Sequence, residues 1–290
     1  MKISTCIDSI AKTVGDEGAI RLVAEAGFDC FDLSLFKMAP FDYRAQRFTE
    51  SDHPFAGEGW QEYALRLRRL GEELGITCNQ SHAPFPSVGE EAIPILERAI
   101  EITGLAGGKV CVIHPYNYHS AEQNAVLYRR LLPTAHRAGV RIATENMWNW
   151  DRERDIAAPA ACSHHDDFLA HIKAVDDPYL VACVDIGHAE MAGLSTDAPT
   201  MLRTLGKHVQ ALHVHDNDLH HDSHALPYTM GIDFDGIART LAEIDYRGEI
   251  TLEACYHRKD ATAEEQPARV AELAAAARRL ADAVESYRAK

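Results

Sequence analysis

No stretch of this chain approaches the ~18 unbroken apolar residues that a membrane-spanning helix requires. Its first residues, MKISTCIDSI, lack the apolar core of a secretory leader. The expectation is a cytoplasmic protein with no membrane partner. Seven cysteines are present but no C-x-x-C pair, so neither a dithiol redox motif nor a thiolate zinc knuckle is predicted. Most of them fall in apolar, strand-like runs and read as reduced, buried small side chains. Positive charge is scarce as well: 29 Lys and Arg stand against 44 Asp and Glu, a formal charge of −15. Such a surface field repels polyanions, and no lysine or arginine run supports nucleic-acid binding. The first strand-like run is followed by Asp8-Ser9-Ile10 where a doubly wound nucleotide-binding sheet would carry a glycine-rich loop. No Pro/Ser/Gly linker or low-complexity segment divides residues 1–290, so one domain is expected.

What the chain does have is a repeating pattern in which short β-branched or apolar runs alternate with longer stretches of helical period. Strands are predicted over 2–7, 28–35, 76–81, 109–113, 140–144, 180–184, 209–214 and 250–252. Between them, Leu67, Leu70 and Leu74, then Ile93, Leu96 and Ile100, fall on single helix faces, and Val270, Leu273, Leu280 and Val284 form the last stripe. Helices are predicted around 63–74, 121–137 and 167–175, and Gly75 is placed to stop the first of these. Eight such units make a (β/α)8 TIM barrel, an α/β fold, the simplest reading.

In that fold the chemistry sits at the carboxyl ends of the strands. Six of the predicted strands end in groups that bind metals or move protons: His82, His114, Glu145, Asp185 with His188, His213 with His215, and Glu253. A lone histidine at a strand end is often a hydrogen-bonded rim residue. A carboxylate directly after an apolar strand is harder to dismiss, because Asp and Glu are seldom buried without a partner. Glu145, Asp185 and Glu253 would repel one another at one barrel mouth unless a cation offset them. We therefore expect one divalent ion held by Glu145, Asp185, His215 and Glu253, with the deeper His213 behind it in the core or as a further metal or substrate contact. Three carboxylates and one imidazole favour manganese, magnesium or cobalt. The segment Asp222-Ser223-His224 reads either as a solvated turn or as a further metal or substrate contact. Phe36, Phe85, Tyr116, Trp148 and Trp150 are placed near the mouth, where they would stack on a sugar ring or simply pack their loops. Arg258 and Lys259 read as a solvated surface pair.

The strand endings E, D-x-x-H, H-x-H and E resemble those of the xylose-isomerase-like barrels, a group of sugar isomerases and epimerases, inosose dehydratases and apurinic-site endonucleases. The resemblance covers essentially the whole chain. For ketose epimerases of that group it implies that Glu145 and Glu253 are both metal ligands and proton-transfer bases, that Asp185 and His215 complete the site, and that His188 contacts the substrate. It implies a small carbohydrate substrate and an enediolate mechanism, or loss of a β-hydroxyl from an inosose. Barrels of this type often form homo-oligomers, but no apolar stripe marks an interface here. Where ketose epimerases carry an arginine after the strand-seven histidine, this chain has His220, His221 and Asp222. His82, His114, Asp222 and His224 match extra zinc positions of the endonucleases, which keeps a multi-zinc phosphodiesterase as an alternative. A silent sugar-binding barrel is a third reading.

Overall fold

A computed structural model describes residues 1–289. The order is β1 (Ile3–Thr5), α1 (Asp8–Glu25), β2 (Cys30–Ser34), α2 (Trp60–Leu74), β3 (Thr77–His82), α3 (Ala92–Leu105), β4 (Val110–Val112) and α4 (Ala121–Ala138). There follow β5 (Arg141–Glu145), α5 (His165–Val175), β6 (Leu180–Asp185), the single turn α6 (Ile186–Ala189), α7 (Ala198–Leu205), β7 (Val209–His213), α8 (Phe234–Glu243), β8 (Ile250–Leu252) and α9 (Gln266–Arg288). Strands β2 to β7 pair in parallel with their sequence neighbours, and β1 pairs in parallel with β8. Parallel bridges between Cys6 and Asp32 and between Val214 and Leu252 join the two sets and close the ring. All eight expected strands are present and the barrel is closed.

The first strand is shorter than the predicted 2–7, because α1 starts at Asp8. Gly15 takes φ 73° and ψ 168° inside α1, which kinks the helix and hides its first turns from a search for helical period. Elsewhere local signals acted as expected. Gly75 adopts φ 78° and ends α2, a conformation that costs a side-chain-bearing residue about 1–2 kcal/mol. Ser120 and Gln123 form a reciprocal capping box at the start of α4. Two antiparallel hairpins went unanticipated, Phe41–Asp42 with Arg47–Phe48 and Asn149–Asp151 with Ile156–Ala158.

The main core lies between the strands and the helices, where Leu67, Ile100, Tyr128, Phe168 and Leu280 are fully buried. Inside the ring is a smaller apolar layer of Val110, Val112, Ala143, Val181, Cys183 and Ala211. Opposite it runs a polar network: Ser4 Oγ donates to Asn79 Oδ1 (2.7 Å), Asn79 Nδ2 to Thr251 Oγ1 (3.0 Å) and Gln80 Nε2 to Asp32 Oδ2 (3.1 Å). Side chains alternate along a strand. The residue two places beyond each inward-facing apolar residue therefore also points inward, which carries Ala143 to Glu145, Cys183 to Asp185 and Ala211 to His213. All seven cysteines are unpaired, six of them buried. Among the described residues, no helix is long and apolar enough to cross a membrane.

Just after the α1 kink, buried Asp16 accepts from the Tyr63 hydroxyl (2.9 Å) and lies 3.2 Å from His53 Nε2. Burial opposes its ionisation, but His53 and Tyr63 outweigh that and hold the carboxyl below its usual range. A depressed carboxylate contributes stability above its unfolded pKa, roughly 4, and loses it as the pH falls through the folded value. Asp16→Asn should therefore cost about 1–3 kcal/mol in urea unfolding at pH 7. The difference from wild type should narrow below about pH 4; a gap that stays constant down to pH 3 would rule out the charged form as its source.

Candidate metal centre and cavity

His82, Glu145, Asp185 and His213 are the last residues of β3, β5, β6 and β7, and Glu253 follows β8 directly. The barrel thus brings all of them to one mouth, with His215 two residues past β7 and half-buried His114 two past β4. The register reinforces this: Asp185 is the partner of His213, and Cys183 the partner of Glu145. Asp185 also caps α6, accepting from His188 N at 2.7 Å. One carboxylate oxygen thus fixes the turn that carries His188.

Three imidazoles are anchored the same way. His188 Nδ1 lies 2.9 Å from the Asn146 carbonyl, His224 Nδ1 2.7 Å from the Glu253 carbonyl, and His215 Nδ1 3.3 Å from the Asp216 carbonyl. A carbonyl only accepts, so each Nδ1 carries the proton and each Nε2 turns inward. Those Nε2 atoms converge on Asp222, at 3.5 Å for His188, 3.4 Å for His215 and 3.2 Å for His224, while His215 Nε2 also lies 3.1 Å from Asp185 Oδ1. His188, His215, Asp222 and His224 each offer an atom within 4.8 Å of the others. The loop 222–224 is therefore part of the centre, not a solvated turn.

His213 is oriented in reverse. Its Nε2 faces Asp32 Oδ2 at 3.3 Å, and its Nδ1 lies 3.2 Å from Glu145 Oε2 and 3.5 Å from Glu253 Oε2. A histidine backed by a buried carboxylate is the usual arrangement of a metal ligand. His213, expected behind the centre or as a further metal or substrate contact, touches both glutamates. His82 Nδ1 reaches Glu253 Oε1 at 3.3 Å, His114 Nε2 reaches Glu145 Oε2 at 3.4 Å, and the two Nε2 atoms are 2.6 Å apart. His188 Nδ1 joins the halves of the site, 3.8 Å from Glu145 and 3.9 Å from Asp185. Of the four ligands expected from the sequence, Asp185 and His215 meet directly, and Glu145 and Glu253 meet through His213.

Burial works against every charge here, yet the opposite charges prevail. Glu145 and Glu253 stay well below the usual carboxylate range despite burial, because of His213 and its neighbours, and Asp222 does so beside His188 and His224. His188 is pushed up to about 10, burial being outweighed by Asp185, Asp222 and Glu145. His114 goes the other way, lowered by burial and by His82. In this state imidazolium protons balance the carboxylates, and a dication entering the site would have to displace them.

The donor set fits such an ion. Among the described residues, the buried polar atoms without a hydrogen-bond partner are, apart from Arg288 Nε, all in this region: His82 Nδ1, both Glu145 oxygens, Asp185 Oδ2, His213 Nδ1, His215 Nε2, Asp222 Oδ1 and Asp32 Oδ1. Each such atom costs about 1–3 kcal/mol if left unpaired. Most of them belong to the small neighbouring groups His188, His215, Asp222 and His224, His82, His213 and Glu253, and His82, His114 and Glu145, each close enough together to hold an ion.

The centre opens into a cavity of about 580 Å³. Phe36, Phe85, Tyr116 and Trp148 border it, whereas Trp150 packs instead on His220 and His221. Arg258 pairs with Glu272 (2.6 Å) away from the cavity, as its reading as a surface residue had it. Asp8, Lys12, Tyr43 and Ser87 also border the space and were missed, as were Asp32 and Asn146. Of these, Asp32 left a legible trace, a carboxylate inside the apolar run Cys30–Ser34.

A closed parallel barrel with buried His, Asp and Glu donors gathered at its carboxyl-terminal mouth defines a TIM-barrel protein with a candidate metal centre. The family model for the xylose isomerase-like TIM barrel matches residues 20–281, and the chain belongs to that family. An uncharacterized protein of Methanocaldococcus jannaschii is 27% identical over 211 residues, 66% of this chain and 68% of that protein. A solved D-tagatose 3-epimerase-like protein superposes with a TM-score of 0.72 at 20% identity, covering 99% of both chains. An L-ribulose 3-epimerase gives 0.70 at 17% identity, covering 99% of this chain and 96% of that one.

Proposed function

We propose that this protein is a divalent-metal-dependent isomerase or epimerase of a small carbohydrate or related polyol ketone. The observation that carries this reading is the meeting of Glu145 and Glu253 on His213 Nδ1, two buried carboxylates from different strands at the base of an aromatic-walled cavity. Glu145, Asp185, His215 and Glu253 would hold the ion, with His213 the added donor. A bound divalent ion polarises a carbonyl and makes the neighbouring C–H more acidic. One glutamate then removes that proton, leaving an enediolate, and the other returns a proton from the opposite face. His188, on the cavity wall with Nδ1 held by the Asn146 carbonyl, would donate from Nε2 as an imidazolium to the oxygen on which negative charge grows. Expulsion of a β-hydroxyl from an inosose would use the same groups.

The donor group of His188, His215, Asp222 and His224, beside that of His82, His114 and Glu145, favours a second reading as a multi-zinc phosphodiesterase. The cavity wall argues against it, since among the described residues Lys12 is the one lysine or arginine that borders it and a phosphodiester needs cationic contacts. Elemental analysis of the purified protein, combined with a screen of ketoses and inososes for exchange of a carbon-bound proton in deuterated water, separates the two. We expect metal-dependent exchange on at least one of them. About three zinc ions per chain, with no exchange and with cleavage of apurinic DNA, would overturn the isomerase reading.

A further inference from the structure

The aromatic wall of the cavity does not stop at its mouth. Phe36 packs edge-on against His82 (centroids 4.6 Å apart), Phe85 stacks on His114 (5.1 Å), and the two phenylalanines meet at 5.2 Å. Beyond them lies a second, open-sided hollow of about 290 Å³, whose own lining adds Lys37, Ala39, Pro40 and Phe41. Asp8, Lys12, Phe36, Tyr43 and Phe85 border both spaces, so the hollow and the cavity form one continuous groove. At that size the hollow alone is near the low end of small-molecule pockets, ~300–1,000 Å³. Seven large apolar side chains are exposed on the described protein, and four of them, Tyr43, Phe85, Tyr118 and Tyr256, border this cavity. Clustered exposed apolar side chains mark a binding surface.

We propose that the groove is a second subsite and that the substrate carries a second, uncharged sugar ring, as a glycosylated ketose does; this rests on the carbohydrate reading above. Phe41 and Tyr43, whose rings meet edge to face at 5.1 Å, form an aromatic corner against which the C–H side of a pyranose would pack. Lys12 Nζ and Asp8 Oδ2, 2.6 Å apart, offer a donor and an acceptor to its hydroxyls. Asp8 already neutralises Lys12 on the shared wall, and Lys37 adds one cation to the hollow's own lining; a neutral ring needs neither, and a sugar phosphate is the competing occupant.

The test is calorimetric titration of the metal-loaded full chain with D-fructose, D-fructose 6-phosphate and the glucosyl-fructoses turanose, leucrose and maltulose. At least one glucosyl-fructose should bind about tenfold more tightly than D-fructose, the effect of one good aromatic contact. Both Phe41→Ala and Tyr43→Ala should shrink that ratio to about twofold or less. Tyr43 is 60% exposed, so its truncation spares the fold even where Phe41→Ala disturbs the hairpin. D-fructose bound as tightly as every glucosyl-fructose, or the phosphate bound most tightly, would overturn the second subsite and leave the carbohydrate reading standing. Binding of none of the probes would sink that reading, and this inference with it.

Discussion

Glu145→Gln and Glu253→Gln should each lower kcat by about 10²–10⁴ at saturating metal, the range that general acid–base catalysis contributes. Both side chains are buried, 0% and 6% exposed, and an amide of the same shape fills each place. The folded state should therefore survive, and circular dichroism should match the wild type. The proposed reaction takes a proton from one face of the substrate carbon and returns one from the other, so either loss alone would stop the full cycle. Exchange with deuterated water separates the roles, because the variant that keeps the abstracting glutamate continues to exchange a substrate proton without completing turnover. Excess metal restores occupancy if a glutamate is only a ligand, so the measurement is made over a metal titration. More than about a tenth of wild-type kcat in either variant would remove that residue from proton transfer.

Gly187→Ala should remove His215 from the centre. A Cβ at Gly187 would lie 1.9 Å from His215 Cε1 and 2.4 Å from its Nε2, far inside contact distance. The ring has no room to retreat, because its other face stacks on His224 with centroids 4.1 Å apart. We expect metal affinity to fall by about 10–100-fold, the usual result of disturbing the support of a ligand. Overpacking of this kind should also lower stability by about 1–3 kcal/mol. Equilibrium dialysis and thermal unfolding check both. A variant with wild-type metal content and Tm would mean that His215 does not bind the ion.

Much of the barrel was readable from the chain because strand and helix periods are local. Leu67, Leu70 and Leu74 announce α2 without reference to anything outside it, and Gly75 ends it through its own backbone freedom. The start of α1 was not readable, because Gly15 breaks the period there. The two hairpins were hidden for a different reason: Phe41–Asp42 and Asn149–Asp151 are too short to show alternation. In the site, Glu145, Asp185, His215 and Glu253 stood out because a carboxylate or imidazole ending an apolar strand is costly to bury alone. The place of loop 222–224 was undecided, since its exposure depends on where β6 and β7 bring His188 and His215.

By itself, then, the order of residues determined which side chains reach the ends of the strands, through alternation along each strand and the spacing of one strand from the next. Only the closed ring decided which of those side chains meet. The direction of each imidazole depends on carbonyls and carboxylates contributed by other parts of the chain, as Asp32 does for His213 and Asn146 for His188. Periodicity carries no information about such meetings, because the contact between Asp32 and His213 spans 181 residues and exists only once the barrel has closed.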